Sequence, residues 1–558
     1  MSAIMAVPAH SIIETRRDQM FPVLDSSEIE RVRHFGTLRS YRDGEALAKA
    51  GSISEGFSII LSGKVDVNQH VSSGRGELIV THGPGSFMGE LAQLAGQPAL
   101  VDAHAQGPVE ALIIPRDQLR ALLVAEAELG ERIMRALILR RVGLLEVGSG
   151  GPVVIGRAGN GDVLRLANFL RRNGHPQQAL DPETDAEARA LVERFHIDPG
   201  RLPIVLCPGG QLLQNPSELE LARCIGLVAP IDPKHVYDVA IVGAGPAGLA
   251  SAVYAASEGL AVVVLDCRSF GGQAGASTRI ENYLGFPTGI GGLALMARAY
   301  NQAQKFGAQM VIPAEVTGLK APQVGAGIFQ LRLSNEERIS ARSVVVASGA
   351  RYRRLAVENL ANFEATSVHY WASASEGKLV AGQEVVLIGG GNSAGQATVY
   401  LASHAAKVWL LVRGADLGAR MSRYLVDRIT GLTNVEIVTK SSITGVEGHN
   451  GMLEAVRWRQ AGSIEVQRPI RHLFLFAGAD PNTDWLAGSG VALDAKGFVL
   501  TGNGRPLETS MHGVFAIGDV RSGSVKRVAA SVGEGAQVVA ALHDFLAVSD
   551  QARNAVAI

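Results

Sequence analysis

The sequence predicts an α/β protein with two similar strand–turn–helix lobes, preceded by an all-β domain and a small α/β domain. The main observation is an apolar run that leads into Gly243, Gly245 and Gly248, spaced as Gly-x-Gly-x-x-Gly, and then into a helix-forming segment. A related turn, Gly389-Gly-Gly391, follows a second apolar run further along. In the N-terminal part, by contrast, short apolar runs are separated by glycines, which is typical of an all-β domain.

The spacing of the first glycine-rich turn indicates a dinucleotide site. The first glycine permits the tight turn, the second lets the backbone approach a pyrophosphate, and the third lets the helix pack closely on the strand. Amide groups at the helix start, next to Pro246 and Ala247, then face the phosphates. The following predicted strand ends in Asp266, at the right distance for a carboxylate on ribose hydroxyls. Two such turns predict two dinucleotide cofactors.

Length and composition indicate a multidomain globular protein. The chain has 558 residues, which predicts three or four domains. A net charge of −1 gives no general attraction to nucleic acid or to an anionic membrane. The N-terminus lacks the apolar core of a signal peptide, and no run approaches the ~20 apolar residues of a membrane span. We therefore predict a cytoplasmic protein without nucleic-acid or membrane partners.

The three cysteines predict neither a disulfide framework nor a metal site. Cys207, Cys224 and Cys267 include no closely spaced pair. We expect Cys207 and Cys224 to be small buried apolar groups and Cys267 to have a packing role beside Asp266.

Residues 1–147 predict a β-roll followed by helices. Their motifs resemble a cyclic-nucleotide-binding domain, with Phe57-Ser-Ile-Ile-Leu-Ser-Gly63, then Gly85-Ser-Phe-Met-Gly89-Glu90-Leu91, then a long helical segment from Arg116 to Leu145. In that family the glutamate contacts the ribose and an arginine contacts the cyclic phosphate.

The arginine of that family is missing here. Glu90 matches the glutamate, but Ala99 stands where the arginine belongs. A phosphate buried without its charge-assisted partner would lose several kcal/mol. We therefore expect the roll to be kept for docking, dimerisation or regulation without tight binding of cyclic AMP, and Arg75 and His104 are the alternatives that would compensate.

Residues 148–230 predict a β-α-β-α-β order with Pro203 before the third strand. This order resembles a thioredoxin or glutaredoxin fold. The redox cysteines of that family would lie between the first strand and first helix, where this chain has Arg157-Ala-Gly-Asn160. The module is therefore interpreted as a degenerate thioredoxin-like domain.

The C-terminal half carries several separated motifs in one order. They are Phe270-Gly271-Gly272-Gln273, Ile280-Glu-Asn282-Tyr-Leu-Gly285-Phe-Pro287, Val344-Val-Val-Ala-Ser-Gly349-Ala350, the second glycine-rich turn, Phe474-Leu-Phe-Ala-Gly478-Ala-Asp-Pro481, and Gly513-Val-Phe-Ala-Ile-Gly518-Asp519. This half resembles the thioredoxin reductase branch of the two-dinucleotide-binding flavoproteins.

The resemblance implies FAD in the first lobe. The pyrophosphate would lie on Gly243–Gly248, the ribose on Asp266 and the ribityl hydroxyls on Asp519. The isoalloxazine would lie near Gly272, Gln273 and Asn282, and Gly349, Gly518 and Ala529 complete the expected site. The last helix is expected to begin near Gln537, with its N-terminal amides toward the flavin.

The second lobe is expected to bind NADPH. Gly389, Gly391, Asn392, Ser393 and Ala394 form its turn, and the next strand is followed by Arg413 where an acid would indicate NAD. A guanidinium suits the 2′-phosphate of NADP. Gly414 replaces a second arginine of the family, and Arg420 is the expected substitute.

The decisive departure from the family lies just before the second turn. Thioredoxin reductases of this branch have Cys-x-x-Cys there, and this chain has Trp371 and Ala374 at the two cysteine positions. Without that dithiol the usual exchange with a protein disulfide is lost. We therefore predict an NADPH-dependent FAD oxidoreductase whose acceptor is ferredoxin, a quinone, another small molecule or oxygen. A thioredoxin-type reductase with another thiol and a redox sensor remain as alternatives.

The order of motifs predicts four domains. They are a β-roll at 1–147, a thioredoxin-like domain at 148–230, a discontinuous FAD lobe at 234–354 and 479–548, and an inserted NAD(P)H lobe at 355–478. Because relatives are homodimers, we expect a homodimer. No residue is assigned a certain catalytic role, since cofactor positioning carries the chemistry.

Overall fold

The computed structural model describes residues 15–71, 74–89, 91–147, 151–157, 160–194, 196–198, 201–228, 231–322, 327–364, 366–372, 374–419, 421–449 and 451–556. The chain forms two compact units. The first contains residues 1–234, 256–269 and 301–315, and the second contains residues 235–255, 270–300 and 316–558. Each unit is described by itself.

The first unit begins with a β-roll. Its strands are β1 (Thr37–Tyr41), β2 (Ala46–Ala48), β3 (Phe57–Val71), β4 (Gly74–His82), β5 (Phe87–Met88) and β6 (Val101–Ile114), and its helices are α1 (Arg17–Met20), α2 (Ser26–Val32), α3 (Ala92–Ala95), α4 (Arg116–Ala125) and α5 (Ala127–Val147). The antiparallel sheet has the order β1-β6-β3-β4, with β2 on β6 and β5 on β3. Alternate residues of β3, Phe57 and Ile59, point into a core that Leu119, Leu122 and Ile133 of the helices also fill.

A small α/β module follows in the same unit. It contains β7 (Val153–Ile155), α6 (Gly161–Arg172), β8 (Gln178–Leu180), α7 (Ala186–Arg194), β9 (Ile204–Leu206), β10 (Leu212–Gln214) and α8 (Glu218–Cys224). The sheet order is β10-β9-β7-β8, with a parallel β7–β8 pair and antiparallel pairing elsewhere. The Leu202–Pro203 peptide before β9 is cis. This is a thioredoxin-like arrangement, and α6 is capped by Asn160, whose Oδ1 accepts from Asp162 N at 2.7 Å.

Two parallel strands complete the first unit. They are β12 (Val262–Leu265) and β13 (Gln309–Val311). Asp266 follows β12 directly.

The second unit contains the first glycine-rich turn, which lies between β11 (Val236–Val242) and α9 (Pro246–Ser257). The helices α9 and α11 (Gly292–Lys305) both begin in this unit. β11 lies parallel to β16 (Arg338–Val346), which pairs with β15 (Phe329–Leu333) and β27 (Val514–Ala516), and β15 pairs with β14 (Val316–Lys320). Further elements are α10 (Gly272–Gly275), the β17 (Ala350–Tyr352) and β26 (Ala479–Pro481) pair, 3-10 turns at Asp484–Leu486 and Gly518–Val520, and the long helix α15 (Val528–Val556).

A second parallel sheet in this unit carries the other glycine-rich turn. Its order is β18 (Val368–His369), β25 (Leu473–Leu475), β19 (Glu384–Ile388), β20 (Lys407–Leu411) and β21 (Val435–Val438). The same part of the chain contains the helices α12 (Ala374–Leu379), α13 (Asn392–Ala402) and α14 (Arg423–Thr430) and a 3-10 turn at Leu360–Phe363. It also contains a three-stranded antiparallel sheet of β22 (Ser441–His449), β23 (Met452–Gln460) and β24 (Val466–Arg468). Both faces are buried, which explains the continuous apolar run of β19.

The predicted fold class is confirmed. An all-β roll precedes α/β domains, and parallel strands with strand–turn–helix units form both glycine-rich turns. Within the described part of the chain, no helix combines the length and apolar character that crossing a bilayer requires.

Candidate functional site

The first glycine-rich turn has the geometry of a nucleotide cradle. Gly243 has φ +113°, and a Cβ on it would lie 2.2 Å from the carbonyl oxygen of Ala347. A Cβ on Gly248 would lie 1.9 Å from the Gly243 oxygen, so the helix starts in direct contact with the turn. At Gly245, by contrast, the nearest heavy atom to a Cβ would be the Gly272 Cα at 3.9 Å. The middle of the turn therefore presents open backbone, as contact with a pyrophosphate requires.

Segments that are distant in the sequence meet at this turn. A Cβ on Gly272 would lie 3.1 Å from the Gly245 Cα, and one on Gly518 would lie 2.8 Å from the Ala247 Cβ. Gly349 follows Ala347 by two residues, and its carbonyl oxygen accepts from Asn482 N at 3.0 Å. The structure thus brings together Gly272, Gly518 and the segment of Gly349, as the sequence predicted for one site.

Asp519 is the carboxylate best suited to a sugar hydroxyl. It follows Gly518 in a 3-10 turn, and none of the side or main chains that the structure describes donates a hydrogen bond to its carboxylate. Burial raises the pKa of Asp519, an effect that Lys526 opposes. Lys526 itself donates to the Asp519 carbonyl oxygen at 2.7 Å. This partly buried carboxylate is therefore available to accept a hydrogen bond from a sugar hydroxyl.

Asp266 lies in a turn of its own after β12. Its Oδ1 accepts from the amides of Arg268 at 3.1 Å and Ser269 at 3.3 Å. These bonds fix the direction of the carboxylate.

The last helix begins earlier than expected. α15 starts at Val528, nine residues before Gln537, and Ala529 lies exposed in its first turn. Gly533 and Gly535, which precede the expected start, are both within the helix. A Cβ on Gly535 would lie 2.7 Å from the Ala247 oxygen, so this glycine serves close packing of two helices.

The second glycine-rich turn repeats the first with looser packing. Gly389 has φ +151°, and a Cβ there would lie 2.8 Å from the Phe476 oxygen, whereas a Cβ on Gly391 would have nothing within 4 Å. The side chain of Asn392 is used structurally, since its Oδ1 accepts from Ser422 N at 2.7 Å. The turn ends in Ala394, which is buried.

Ser393, in the second turn, and Arg413, after the next strand, differ in whether their side chains have a partner. Ser393 forms a hydrogen bond with the hydroxyl of Tyr352, a partly exposed residue whose phenol pKa is raised by partial burial. Arg413 follows β20 and is exposed, and its guanidinium has no partner among the described residues. Arg420, the expected second cation, lies outside the described residues.

A cavity of about 380 Å³ lies in the second unit, where the family dithiol would be. Its walls include Gln273, Thr278, Tyr352, Trp371, Ser393 and Tyr400. The Trp371 indole donates to Glu376 Oε1 at 3.2 Å, and the Thr278 hydroxyl donates to the Ala372 oxygen. Arg428 pairs with Glu281 at 2.9 Å at the same cavity.

Gln273 and Asn282, which the sequence places at one site, line two depressions. Gln273 lines the cavity and donates to the Ala350 oxygen at 3.4 Å. Asn282 is exposed and lines a different depression beside Tyr424. Arg279 and Glu281 line both depressions, and a shared position of Gln273 and Asn282 at the isoalloxazine stays a prediction.

The prediction that Cys207 and Cys224 are packing groups is wrong. They form a disulfide with a Cα–Cα distance of 6.3 Å across a sequence separation of 17. Cys267 is free and exposed, not packed. Partial burial of the thiol, and then Asp266, raise the pKa of Cys267 to about 11, so it is not a thiolate at neutral pH.

Sequence reasoning missed a buried histidine pair next to the cavity wall. His369 Nε2 and His472 Nδ1 lie 3.1 Å apart, and both side chains are buried. Burial, and then the neighbouring imidazole, lower the pKa of His369 to about 4. Burial also lowers the pKa of His472. The sequence signal that could have indicated this pair is the position of His369 immediately before Tyr370 and Trp371.

The β-roll holds a cavity of about 280 Å³ with mostly apolar walls. Ala99 lines it, as do Gln97 and the buried Arg140, whereas His104 does not. Arg140 donates to the oxygens of Met20 at 2.8 Å, Gly89 at 2.9 Å and Phe87 at 3.1 Å. Glu90 and the Arg75 side chain lie outside the described residues. Arg140 is thus a cation at this cavity among the described side chains, and sequence reasoning missed it.

The fold and the two turns define a flavin-dependent oxidoreductase with a nicotinamide nucleotide lobe. The family model "Pyridine nucleotide-disulphide oxidoreductase" matches residues 237–535, more than half of the chain, and "Cyclic nucleotide-binding domain" matches residues 38–126. The chain belongs to the pyridine nucleotide-disulphide oxidoreductase family. One relative, "NADPH-dependent thioredoxin reductase 3" of Arabidopsis thaliana, is 32% identical over 54% of this chain and 56% of that one.

Relatives place the C-terminal half near the thioredoxin reductases. The chain is 31% identical to thioredoxin reductase of Borreliella burgdorferi over 56% of this chain and 92% of that one. It is 32% identical to an alkyl hydroperoxide reductase component of Pseudomonas putida over 57% of this chain, but the match spans 59% of that relative's length. The structure of T. acidophilum thioredoxin reductase matches at TM-score 0.52 and 29% identity, over 56% of this chain and 99% of that one.

Proposed function

We propose that this protein is an NADPH-dependent FAD oxidoreductase that delivers electrons to an acceptor other than a protein disulfide. The observation that carries the proposal is the wall of the 380 Å³ cavity, where Trp371 stands in place of the first cysteine of the family dithiol. Its indole is held by Glu376 at 3.2 Å. The one free thiol of the chain, Cys267, has a raised pKa and is a poor substitute.

The chain's residues have positioning roles in this proposal. The turn from Gly243 to Gly248 would hold the FAD pyrophosphate and Asp519 the ribityl hydroxyls, while Arg413 would pair with the 2′-phosphate of NADPH. FAD held by these residues would supply hydride acceptance from the nicotinamide and onward electron transfer. Thr278 and Trp371 would limit which acceptors reach it, since both line the cavity. A homodimer is part of the proposal.

Anaerobic stopped-flow reduction tests the proposal. We expect fast reduction by NADPH, slower reduction by NADH, and reoxidation by ferredoxin, a benzoquinone or oxygen without any effect of thiol alkylation. Reoxidation that occurs solely with thioredoxin and a disulfide would contradict the proposal.

A gain-of-function variant makes the test sharper. The double change Trp371→Cys and Ala374→Cys restores the Cys-x-x-Cys spacing, and we expect it to reduce thioredoxin while the wild-type chain does not. The control, Trp371→Ser with Ala374→Ser, empties the same volume without adding thiols and should stay inactive toward thioredoxin. Equal thioredoxin reduction by the wild type and both variants would show that the cavity wall does not set the acceptor.

A second candidate function is favoured by the Cys207–Cys224 disulfide. A disulfide in a thioredoxin-like module supports an electron path from the flavin to this pair, and hence a thiol reductase that uses these cysteines. Incubation with NADPH alone, followed by alkylation and mass spectrometry, separates the candidates. Two new alkylated cysteines would support the second, and an intact disulfide beside a reduced flavin would support the first.

A further inference from the structure

We propose that Cys207–Cys224 is a thiol–disulfide exchange site whose oxidation state controls the 96–99 loop at the mouth of the β-roll cavity. The inference concerns the first unit alone and does not depend on the acceptor of the flavin. It rests on the accessibility of one sulfur and on the contacts that both ends of the disulfide make with the roll.

The two cysteines differ in accessibility. Cys207, at the end of β9, is 2% exposed, whereas Cys224, the last residue of α8, is partly exposed. An incoming thiolate therefore reaches the sulfur of Cys224, with Cys207 as the leaving group.

The exchange balances with an external dithiol as reductant. Its thiolate attacks Cys224, the S–S bond breaks, and the Cys207 thiolate takes up a proton. The second thiol of the reductant then attacks the mixed disulfide, forms the reductant's own disulfide and releases the Cys224 thiol. Two electrons pass from the dithiol to the cysteine pair.

The end of the disulfide at Cys207 contacts the roll through a tight turn. The Cys207 amide donates to the Gln211 oxygen at 2.9 Å, and the Gly210 amide donates to the Cys207 oxygen at 2.8 Å. Within this turn, the backbone of Gly209 packs on Gly51 of the roll, where a Cβ would lie 2.9 Å from the Gly209 nitrogen.

The end at Cys224 contacts the 96–99 loop itself. A Cβ on Gly226, two residues after Cys224, would lie 2.2 Å from Cδ of Pro98. The two roll segments are also bonded to each other, since the Gly51 amide donates to the Ala99 oxygen at 2.9 Å and the Ala99 amide donates to the Ser52 oxygen at 2.9 Å.

These contacts connect the disulfide to the cavity. Gln97 and Ala99 of the loop line the cavity, and so does Ser54 after Gly51. While the disulfide is closed, it holds the Gly209 turn and the Gly226 segment at a fixed separation, and the roll segments rest against both. Reduction removes that cross-link, so the loop is free to open and admit or release a ligand.

Hydrogen exchange of the full-length protein tests the proposal with dithiothreitol as the dithiol. We expect one alkylatable cysteine before reduction and three after it. Reduction should speed amide exchange in a peptide covering residues 93–101 by at least about fivefold, while a peptide covering β19 stays unchanged. Three alkylatable cysteines at the start, or equal exchange of the 93–101 peptide in both states, would overturn the proposal.

Variants separate coupling from general loosening. Cys267→Ser, which removes the free exposed thiol, should respond to dithiothreitol like the wild type. Pro98→Ala removes the ring packed on Gly226 but leaves the disulfide, so the loop should exchange fast in both states. A Pro98→Ala protein that keeps the full redox response would show that this contact does not transmit it.

Discussion

The two glycine-rich turns of this protein have similar backbone geometry, but the strand after each turn is followed by a side chain of opposite charge. In both, the first glycine has positive φ, and a side chain there would meet a carbonyl oxygen, of Ala347 for Gly243 and of Phe476 for Gly389. Asp266 directly follows the strand after the first turn, whereas Arg413 lies two residues past the strand after the second turn. In the proposed function the turn holds the dinucleotide, and the charged residue after the next strand distinguishes a ribose hydroxyl from a 2′-phosphate.

The turns also differ in how tightly the helix follows. At Gly248 a Cβ would lie 1.9 Å from the Gly243 oxygen, whereas the second turn accommodates Ala394 at the matching position. The first turn thus tolerates less change than the second, which suits a cofactor that stays bound during turnover.

Alanine at selected glycines gives the largest expected effect. Gly243→Ala places a Cβ 2.2 Å from the Ala347 oxygen at φ +113°, so we expect a protein that lacks FAD or fails to fold. Gly391→Ala adds a Cβ with nothing within 4 Å and should keep its flavin and its thermal stability. Flavin absorbance per protein and the melting temperature measure both. A flavin-loaded Gly243→Ala protein would show that the first turn is not the more constrained of the two.

Local signals in the sequence made these turns predictable. These signals are glycines at fixed spacing between an apolar strand and a helix, and the Gly-Asp pair at Gly518. Each can be recognised from residues that are adjacent in the chain. The arrangement of Gly272 and Gly518 around the first turn followed because the family order of motifs implies one site.

Features that depend on tertiary packing were not predictable in this way. The Cys207–Cys224 bond joins a hairpin to a helix end, and sequence spacing alone gives no sign of that contact. The start of the last helix was placed too late because Gly535 is helical and packs closely on Ala247, a residue far away in the chain. The buried pair His369 and His472 has the same origin, since 103 residues separate the two histidines in the chain.

A second test exchanges the charge that distinguishes the turns. Arg413→Ala removes an exposed guanidinium without a partner among the described residues. A hydrogen bond to a charged group contributes about 1.5–3 kcal/mol, so KM for NADPH should rise roughly 10- to 100-fold. KM for NADH, which lacks the 2′-phosphate, should change little. Steady-state flavin reduction with both nucleotides provides the measurement, and Arg423→Ala, which removes an exposed arginine paired with Asp427, is the control. Equal increases for both nucleotides would remove Arg413 from the 2′-phosphate site.

The smallest expected effect concerns Asp519 in the FAD-free protein. Burial raises the pKa of Asp519 above that of the unfolded chain, so its contribution to stability is fully present below the ordinary carboxyl pKa. That contribution is lost as pH rises through the raised value, because the charged form lacks a hydrogen-bond donor in the described structure. Asp519→Asn should therefore stabilise the FAD-free protein at neutral pH, by on the order of 1 kcal/mol, while weakening FAD binding.

The pH dependence distinguishes this explanation from a general packing change. The advantage of Asp519→Asn in urea unfolding of the FAD-free protein should shrink on acidification and vanish well below about pH 4, where the wild-type carboxyl is neutral in both states. An advantage that stays constant with pH would point to packing. A variant less stable than the wild type at neutral pH would mean that the Asp519 carboxylate already has a donor in the free protein, and the assignment of this acid to a bound sugar would lose its physical basis.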